Sequence, residues 1–360
     1  MKRIYPDHYH DFHCLAGQCP DTCCKGWQII IDPDTLTWYR QLDGELGQRV
    51  RACLIEEDGE VRFGETDGRC TLLTPDGLCA LQCAYGEQAL CKTCASHPRF
   101  IEQYGATEEY TLSISCPEAA RLLLARSTPV TFLHDTDSRL PDGYNTLDPD
   151  LYHALDTARE FVIRLCQDSR FSLCDRMSVL LLFAKRMQAL IDDGALSHAP
   201  ALLTQFSSDA YLHRQRVRLA RMRGHSGTFL PLWLLLRNME HLTVAFPPLL
   251  EAALHAQPER AFWEGMHTQS LENLLVYFLF RYFKKAVNDN KLLPRVSACV
   301  FHLLSIRQLY FAQPERTQDA LIRLCSLYSK EVEHSEDNMA LLLRALARRT
   351  PSTRALLSIL

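Results

Sequence analysis

Glycine is the first shortage in this chain. It accounts for 15 of 360 residues, roughly 4 % against a usual ~7 %. No G-x-G occurs anywhere, so the glycine-rich strand-to-helix loop that cradles a dinucleotide or a similar cofactor is missing. A strong charge is missing too. The 39 Lys+Arg and 43 Asp+Glu leave a net −4, so overall charge points to neither nucleic acid nor a membrane surface. Long apolar runs are also absent. The longest are "FLPLWLLL" (229–236) and "LENLLVYFLFRYF" (271–283). Both fall short of the ~20 residues of a membrane helix. The start, "MKRIYPDHYHDFHC", shows no apolar stretch or cleavage site of a signal peptide. The expectation is a cytoplasmic protein with neither a membrane nor a nucleic-acid partner. Its 47 % hydrophobic content suffices for a large core, and length alone suggests about two domains.

Cysteine, by contrast, is plentiful and uneven. Eleven of the fifteen lie between Cys14 and Cys116. In a reducing compartment such clusters point to metal ligands or redox groups before structural disulfides. Cys14, Cys19, Cys23 and Cys24 fall within eleven residues that show no helical stripe. A second group holds Cys70, Cys79, Cys83, Cys91 and Cys94, and Cys116 closes the series. Closely spaced thiolates let one loop present several sulfurs to one centre, and soft sulfur selects zinc or iron–sulfur clusters. The adjacent pair Cys23–Cys24 suits a polynuclear cluster, or one ligand beside one supporting thiol, better than a single tetrahedral ion. The spacing C-x3-C-x2-C is not met, because the third position after Cys19 and Cys23 is Gly26. The four late cysteines read differently. Cys299 shares a stripe with His302, Leu303, Ile306 and Tyr310, and Cys325 sits among leucines. With Cys166 and Cys174 they read as small core hydrophobes.

The chain divides by its grammar. Residues 1–126 form an irregular Cys-rich, metal-binding region with short β hairpins. "WQIIID" (27–32) and "YTLSIS" (110–115) read as strands, and 69–82 as a hairpin turning at Pro75-Asp76-Gly77. Segment 33–60 reads as helix followed by an acidic loop. Residues 127–150, rich in Pro, Asp, Ser and Thr, read as a linker. From 151 to 360 the apolar period is helical, as in Leu271, Leu274, Leu275, Phe278, Leu279 and Tyr282. About eight amphipathic helices are expected there, packed as a bundle, so the fold class is mainly α.

Four blocks carry a family likeness: "FHCLAGQCPDTCCKGWQIIID", "CTLLTPDGLCALQ", "LCKTCASHPRF" and "LSISCPEAARLLL". In this order, across residues 12–124, they resemble the flagellin lysine-N-methylase family, which is related to the CxxxCxxCC metal-chelating domain proteins. "LENLLVYFLFRYFKKAVND" is similar to that family's late helical block. The resemblance implies a protein-lysine N-methyltransferase. It would use S-adenosylmethionine and an oxygen-sensitive iron–sulfur cluster, of 4Fe-4S type, on surface lysines of flagellin. It places the family's metal cysteines on Cys14, Cys19, Cys23, Cys24, Cys70, Cys79, Cys94 and Cys116. Cys53, Cys83 and Cys91 lie outside the pattern. His97 stands where the family often has an aromatic residue before Pro-Arg.

Several features stay open at this level. Deprotonating a lysine needs a base, and the candidates are Tyr5, Tyr9, Tyr85, Tyr104, Tyr110, His8, His10, His13 and His97, none of them singled out. No residues can be assigned to the S-adenosylmethionine site. The stretch "HRQRVRLARMRGH" (213–225) reads as a solvated helix with some internal ion pairs. Arg99 and Glu118 read as braces of the Cys-rich region. The competing function is a non-catalytic zinc scaffold whose helical half docks a partner.

Overall fold

The computed structural model describes residues 1–25, 28–57, 59–139, 147–223, 229–258, 262, 265 and 267–360. Gly26 and Trp27, the start of the expected 27–32 strand, lie outside these residues, as do 140–146 of the expected linker and 224–225 of the arginine-rich stretch.

The first half is built from small pieces. Its strands are β1 (Lys2–Pro6), β2 (Leu54–Glu57), β3 (Glu60–Phe63), β4 (Glu65–Thr66), β5 (Arg69–Cys70), β6 (Arg99–Tyr104), β7 (Thr107–Leu112) and β8 (Phe132–Thr136). Between them run the short helices α1 (Pro33–Gln41), α2 (Gly44–Ala52), α3 (Ala80–Tyr85), α4 (Lys92–Ser96) and α5 (Pro117–Leu124). The main sheet has the order β6-β7-β1-β8, with β1 parallel to β7 and antiparallel to β8. The β6–β7 hairpin turns at Gly105, whose φ of +57° suits a residue without Cβ. Strand β8 lies within the 127–150 segment, so the chain is tied back to its own N-terminus there. The 74–78 turn forms, with Gly77 at φ +78°. Its arms pair only at Leu73–Cys79 before the chain enters α3. The acidic stretch after α2 is the β2–β3 hairpin. Residues 29–31 lie along β3, where Ile31 N–H donates to the Val61 carbonyl and Phe63 N–H to the Ile29 carbonyl.

The second half is helical: α6 (Pro149–Cys166), α7 (Leu173–Asp192), α8 (Ala199–Phe206), α9 (Asp209–Ala220), α10 (Leu230–Arg237), α11 (Phe246–His255), α12 (Thr268–Tyr282), α13 (Leu292–Phe311), α14 (Gln318–Glu333), α15 (Glu336–Ala347) and α16 (Thr353–Ile359). The fold is mainly α, as the helical period predicts. Where about eight helices were expected, eleven are found among the described residues, because 199–255 is cut into four short ones. Pro200, Pro231, Pro247 and Pro248 fall in first turns, where a missing N–H costs nothing. Asp148, Ser172, Ser208, Thr317, Ser335 and Ser352 cap their helices by accepting backbone N–H bonds. Helix α13 is buried almost all round and forms the axis of the bundle, packed by α7, α12, α14 and α15. No helix among the described residues is long and apolar enough to cross a membrane.

Two cores result. The bundle core takes in Tyr104, Ile114, Ala120, Leu123, Leu124 and Val130 from the sheet and α5. A separate small core gathers Ile29, Ile31, Tyr39, Val50, Phe63, Leu72, Leu81 and Cys91. A buried ion group joins sheet to bundle. Glu109 of β7 meets Arg159 at 2.5 Å and Lys284 at 2.8 Å, and Lys284 also meets Asp156 at 2.9 Å. Burial alone would raise the Glu109 carboxyl, but the two cations outweigh it and hold it below the usual range.

Candidate metal centre

The fold brings four separate segments into one electrostatic neighbourhood. The loop 14–24 carries Cys19, Cys23 and Cys24. The turn before α3 presents Cys79 at that helix's N-cap, and α4 contributes Cys94. Cys116 is the N-cap residue of α5, followed by Pro117 at N1. Cys23 is the hub of this set. Burial raises the thiols of Cys19, Cys79 and Cys116, a donated hydrogen bond raises those of Cys24 and Cys94, and the Cys23 charge adds to all five. Cys70 stands next to Cys24 and Cys79, and its backbone N–H donates to the Cys24 carbonyl at 2.9 Å. Cys14 lies at the exposed outer end, beside Cys19.

The adjacent pair has two roles. The Cys24 thiol donates to Cys23 Sγ, which draws Cys23 down to about 7 and keeps Cys24 protonated. A second such pair forms inside α4's first turn: Cys94 donates to Cys91, so Cys91 is drawn down and Cys94 up. Burial pushes Cys70 and Cys116 up to about 11. Sequence reasoning set Cys91 aside, yet the structure puts its sulfur against Cys94. Cys53 joins the small core next to Cys70, and Cys83 is exposed on α3.

Do these residues fit a metal? Among the described residues no three His, Cys, Asp or Glu side chains stand at metal-binding separation. The chemistry of the donor set nevertheless fits a soft cation. The raised thiols are held protonated by burial and by donated hydrogen bonds, with their neighbours' charge adding to it, and a cation placed among them offsets that cost.

The bundle supplies the other wall. Lys330 of α14, nearly buried, forms an ion pair with Asp21 and donates to the Thr22 carbonyl at 3.3 Å. Its charge also helps lower Cys23. His334, at the end of α14, stacks on His97 with ring centroids 5.7 Å apart. Its Nε2 lies 2.5 Å from Ser115 Oγ, which meets Ser113 Oγ at 2.9 Å. Burial, then nearby cations, lowers His97 to about 4 and His334 to about 3, so both rings are neutral at pH 7. Behind them Arg281 lies over Phe100 at 4.2 Å, and Glu333 accepts from Tyr277 at 3.0 Å and Tyr282 at 2.7 Å. Lys330, His334 and Glu333 were missed from sequence because α14 reads there as an ordinary amphipathic helix. The one available signal was the run Lys330-Glu331 and Glu333-His334 crowding its last turn.

The other sequence candidates are spread out. Tyr5, Tyr9 and Tyr110 form an aromatic group with centroids 4.5–5.7 Å apart, packed beside Cys116. Burial pushes Tyr9 up to about 12. Tyr104 belongs to the Lys284 ion group, and Tyr85 packs on Trp38. His8 is buried beside Asp7, while His10 and His13 are exposed. Arg99 lies over Phe12 at 4.9 Å, and Glu118 pairs with Arg121. Of the arginine-rich stretch, Arg216 and Arg223 both pair inward with Asp175. The late cysteines Cys166, Cys174, Cys299 and Cys325 are all buried in the bundle core. One groove touches the thiol cluster. It has a volume of about 240 Å³ and is lined by Cys19, Asp21, Thr22, Lys25, Arg69 and Asp76 among others.

Comparison with known proteins adds an independent observation from the helical half. The model of the FliB lysine N-methylase C-terminal domain matches residues 159–360. The chain belongs to the FliB lysine N-methylase family. The match lies over the bundle, whereas the cysteine blocks precede it. Among curated relatives, the flagellar biosynthetic protein FliU of Salmonella muenchen is 32 % identical over 120 residues, covering 31 % of this chain and 71 % of that protein. The lysine-N-methylases of Salmonella typhimurium and Salmonella choleraesuis are each 32 % identical over 120 residues, again 31 % of this chain. The match covers only 30 % of the length of each of those two enzymes. No solved structure matches the chain.

Proposed function

We propose that the chain is a protein-lysine N-methyltransferase that takes methyl groups from S-adenosylmethionine and acts on surface lysines of flagellin in the cytoplasm. The observation that supports this most is the joining of a family-matched bundle to a thiol hub at Cys23. The residues to hold a metal group are Cys19, Cys23, Cys24, Cys79, Cys94 and Cys116, with Cys14 and Cys70 at the margin. When bound by three thiolates, an iron–sulfur cluster supplies an open iron for a small molecule.

The chain's own residues meet the other needs of the reaction. A lysine must be neutral to attack, and neutralising it at pH 7 costs about 4.6 kcal/mol. Its lone pair forms the N–CH3 bond as the S–CH3 bond breaks, sulfur keeps that electron pair, and the amine proton leaves. Asp76 lines the groove beside Cys19 and would face the incoming amine, while Asp21 there is paired with Lys330. His97 and His334 are held neutral by burial at about 4 and about 3, so neither takes up the amine proton at pH 7 and it passes to solvent.

Anaerobic purification, metal analysis and incubation with S-adenosylmethionine and flagellin test the reading. Mass spectrometry should show methyl additions on lysine, with iron and sulfide in the protein. Tightly bound zinc, no iron and unmodified flagellin would overturn it in favour of a zinc scaffold.

A further inference from the structure

A second cavity lies away from the cysteines, between the start of α13 and the end of α15. Its volume is about 380 Å³. Four cations line it, Lys291, Arg295, Arg344 and Arg348, against one carboxylate, Asp289. That carboxylate is already engaged by Arg295 at 2.8 Å. Arg344 and Arg348 reach in from successive turns of one helix face. The long helix α13 begins at Leu292 and adds the positive end of its dipole.

Surface arginines near a helix C-terminus are ordinary, and by themselves would mark nothing. Arg295 is different. It is 9 % exposed, lines the same cavity, and its guanidinium is held in place there by Asp289 at 2.8 Å. Four cations against one carboxylate leave the cavity with an excess of positive charge that an anion would offset. The rest of the lining is apolar: Pro294, Ala340, Leu343 and Ala347. The volume is in the range of small-molecule sites and far exceeds the needs of one small anion.

We infer that this cavity is a binding site for a small phosphate-bearing molecule with an apolar ring body, of the nucleoside di- or triphosphate class. Arginine forks match phosphate oxygens, and the Pro294–Leu343 floor receives the ring. S-adenosylmethionine does not suit it, because a cluster of cations repels a sulfonium. The site is therefore separate from the methyl-transfer centre.

Calorimetric titration of the full chain with ATP, pyrophosphate and adenosine tests this. ATP should bind saturably, more tightly than pyrophosphate or adenosine, and more weakly as salt rises. The exposed pair Arg344→Glu with Arg348→Glu should weaken ATP at least about tenfold, since each charge-assisted bond lost amounts to roughly tenfold. Circular dichroism and metal content should be unchanged in that variant. Equal ATP affinity in the variant, or no saturable binding to the parent chain, would overturn the inference. Pyrophosphate binding as tightly as ATP would overturn the ring-binding floor.

Discussion

The early and late cysteines are the same residue in two electrical situations. In the bundle, Cys166, Cys299 and Cys325 are wholly buried in the core, and burial raises each thiol. Cys299 simply donates to the Arg295 carbonyl one turn back, at 3.3 Å. Such thiols stay protonated and behave as small hydrophobes. Around Cys23 the thiols are less buried, yet they raise one another, and Lys330 leans on them from the bundle. Burial alone therefore does not separate structural from ligating cysteine. What separates them is how many sulfurs from distant segments share one electrostatic neighbourhood: Cys299 feels Cys166, whereas Cys23 acts on five other thiols.

Substitution sharpens that contrast most. Cys23→Ser removes the hub and should reduce bound metal to background, measured by elemental analysis after anaerobic purification. Cys325→Ala should keep its full metal content and lose about 1 kcal/mol of stability from the small cavity left behind. Equal metal loss in both would mean that the two classes differ only in folding, and the contrast would collapse.

Acid should strain the seam between the two regions next. His97 and His334 titrate near 4 and 3 in the folded chain against 6.5 when free. Below pH 6.5 the unfolded chain therefore binds protons that the folded chain refuses. Stability falls as pH drops from 6.5 toward 4, by about 1.4 kcal/mol per unit for each ring. The two rings together should cost on the order of 4 kcal/mol by pH 5. His97→Phe, which installs the aromatic residue the family often carries, should remove its share of that slope in urea titrations at pH 7 and pH 5. An unchanged slope would show that the stacked rings are not the acid-sensitive element.

Much of this was legible in sequence. The period-3.6 stripes placed the bundle, and its caps and first-turn prolines are local signals. Cysteine spacing marked the loops that meet at Cys23. The seam was not legible, because nothing local says that the last turn of α14 faces residue 97, more than two hundred positions earlier. Strand β8 escaped for the same reason: "TFLHDT" becomes a strand only because β1 is there to pair with it. The extra helices in 199–255 came from prolines that start helices as readily as they end them.

The smallest effect tests the thiol pair that spacing alone misjudged. Cys91 lies outside the family pattern, while Cys94 lies within it. In the structure the Cys94 thiol donates a hydrogen bond to Cys91, and that bond is the largest cause holding Cys94 protonated. Cys91→Ala removes the acceptor, so the Cys94 thiol should fall toward the ordinary range. Alkylation of metal-free protein by iodoacetamide at mildly alkaline pH, mapped by mass spectrometry, should then be several-fold faster at Cys94. Cys23 and Cys24 still raise Cys94, which keeps the change well short of full activation. Metal content should fall less than in Cys23→Ser, because Cys91 lies deeper in the small core than the hub. Loss as complete as that of Cys23→Ser would make Cys91 a ligand in its own right and Cys94 its supporting donor.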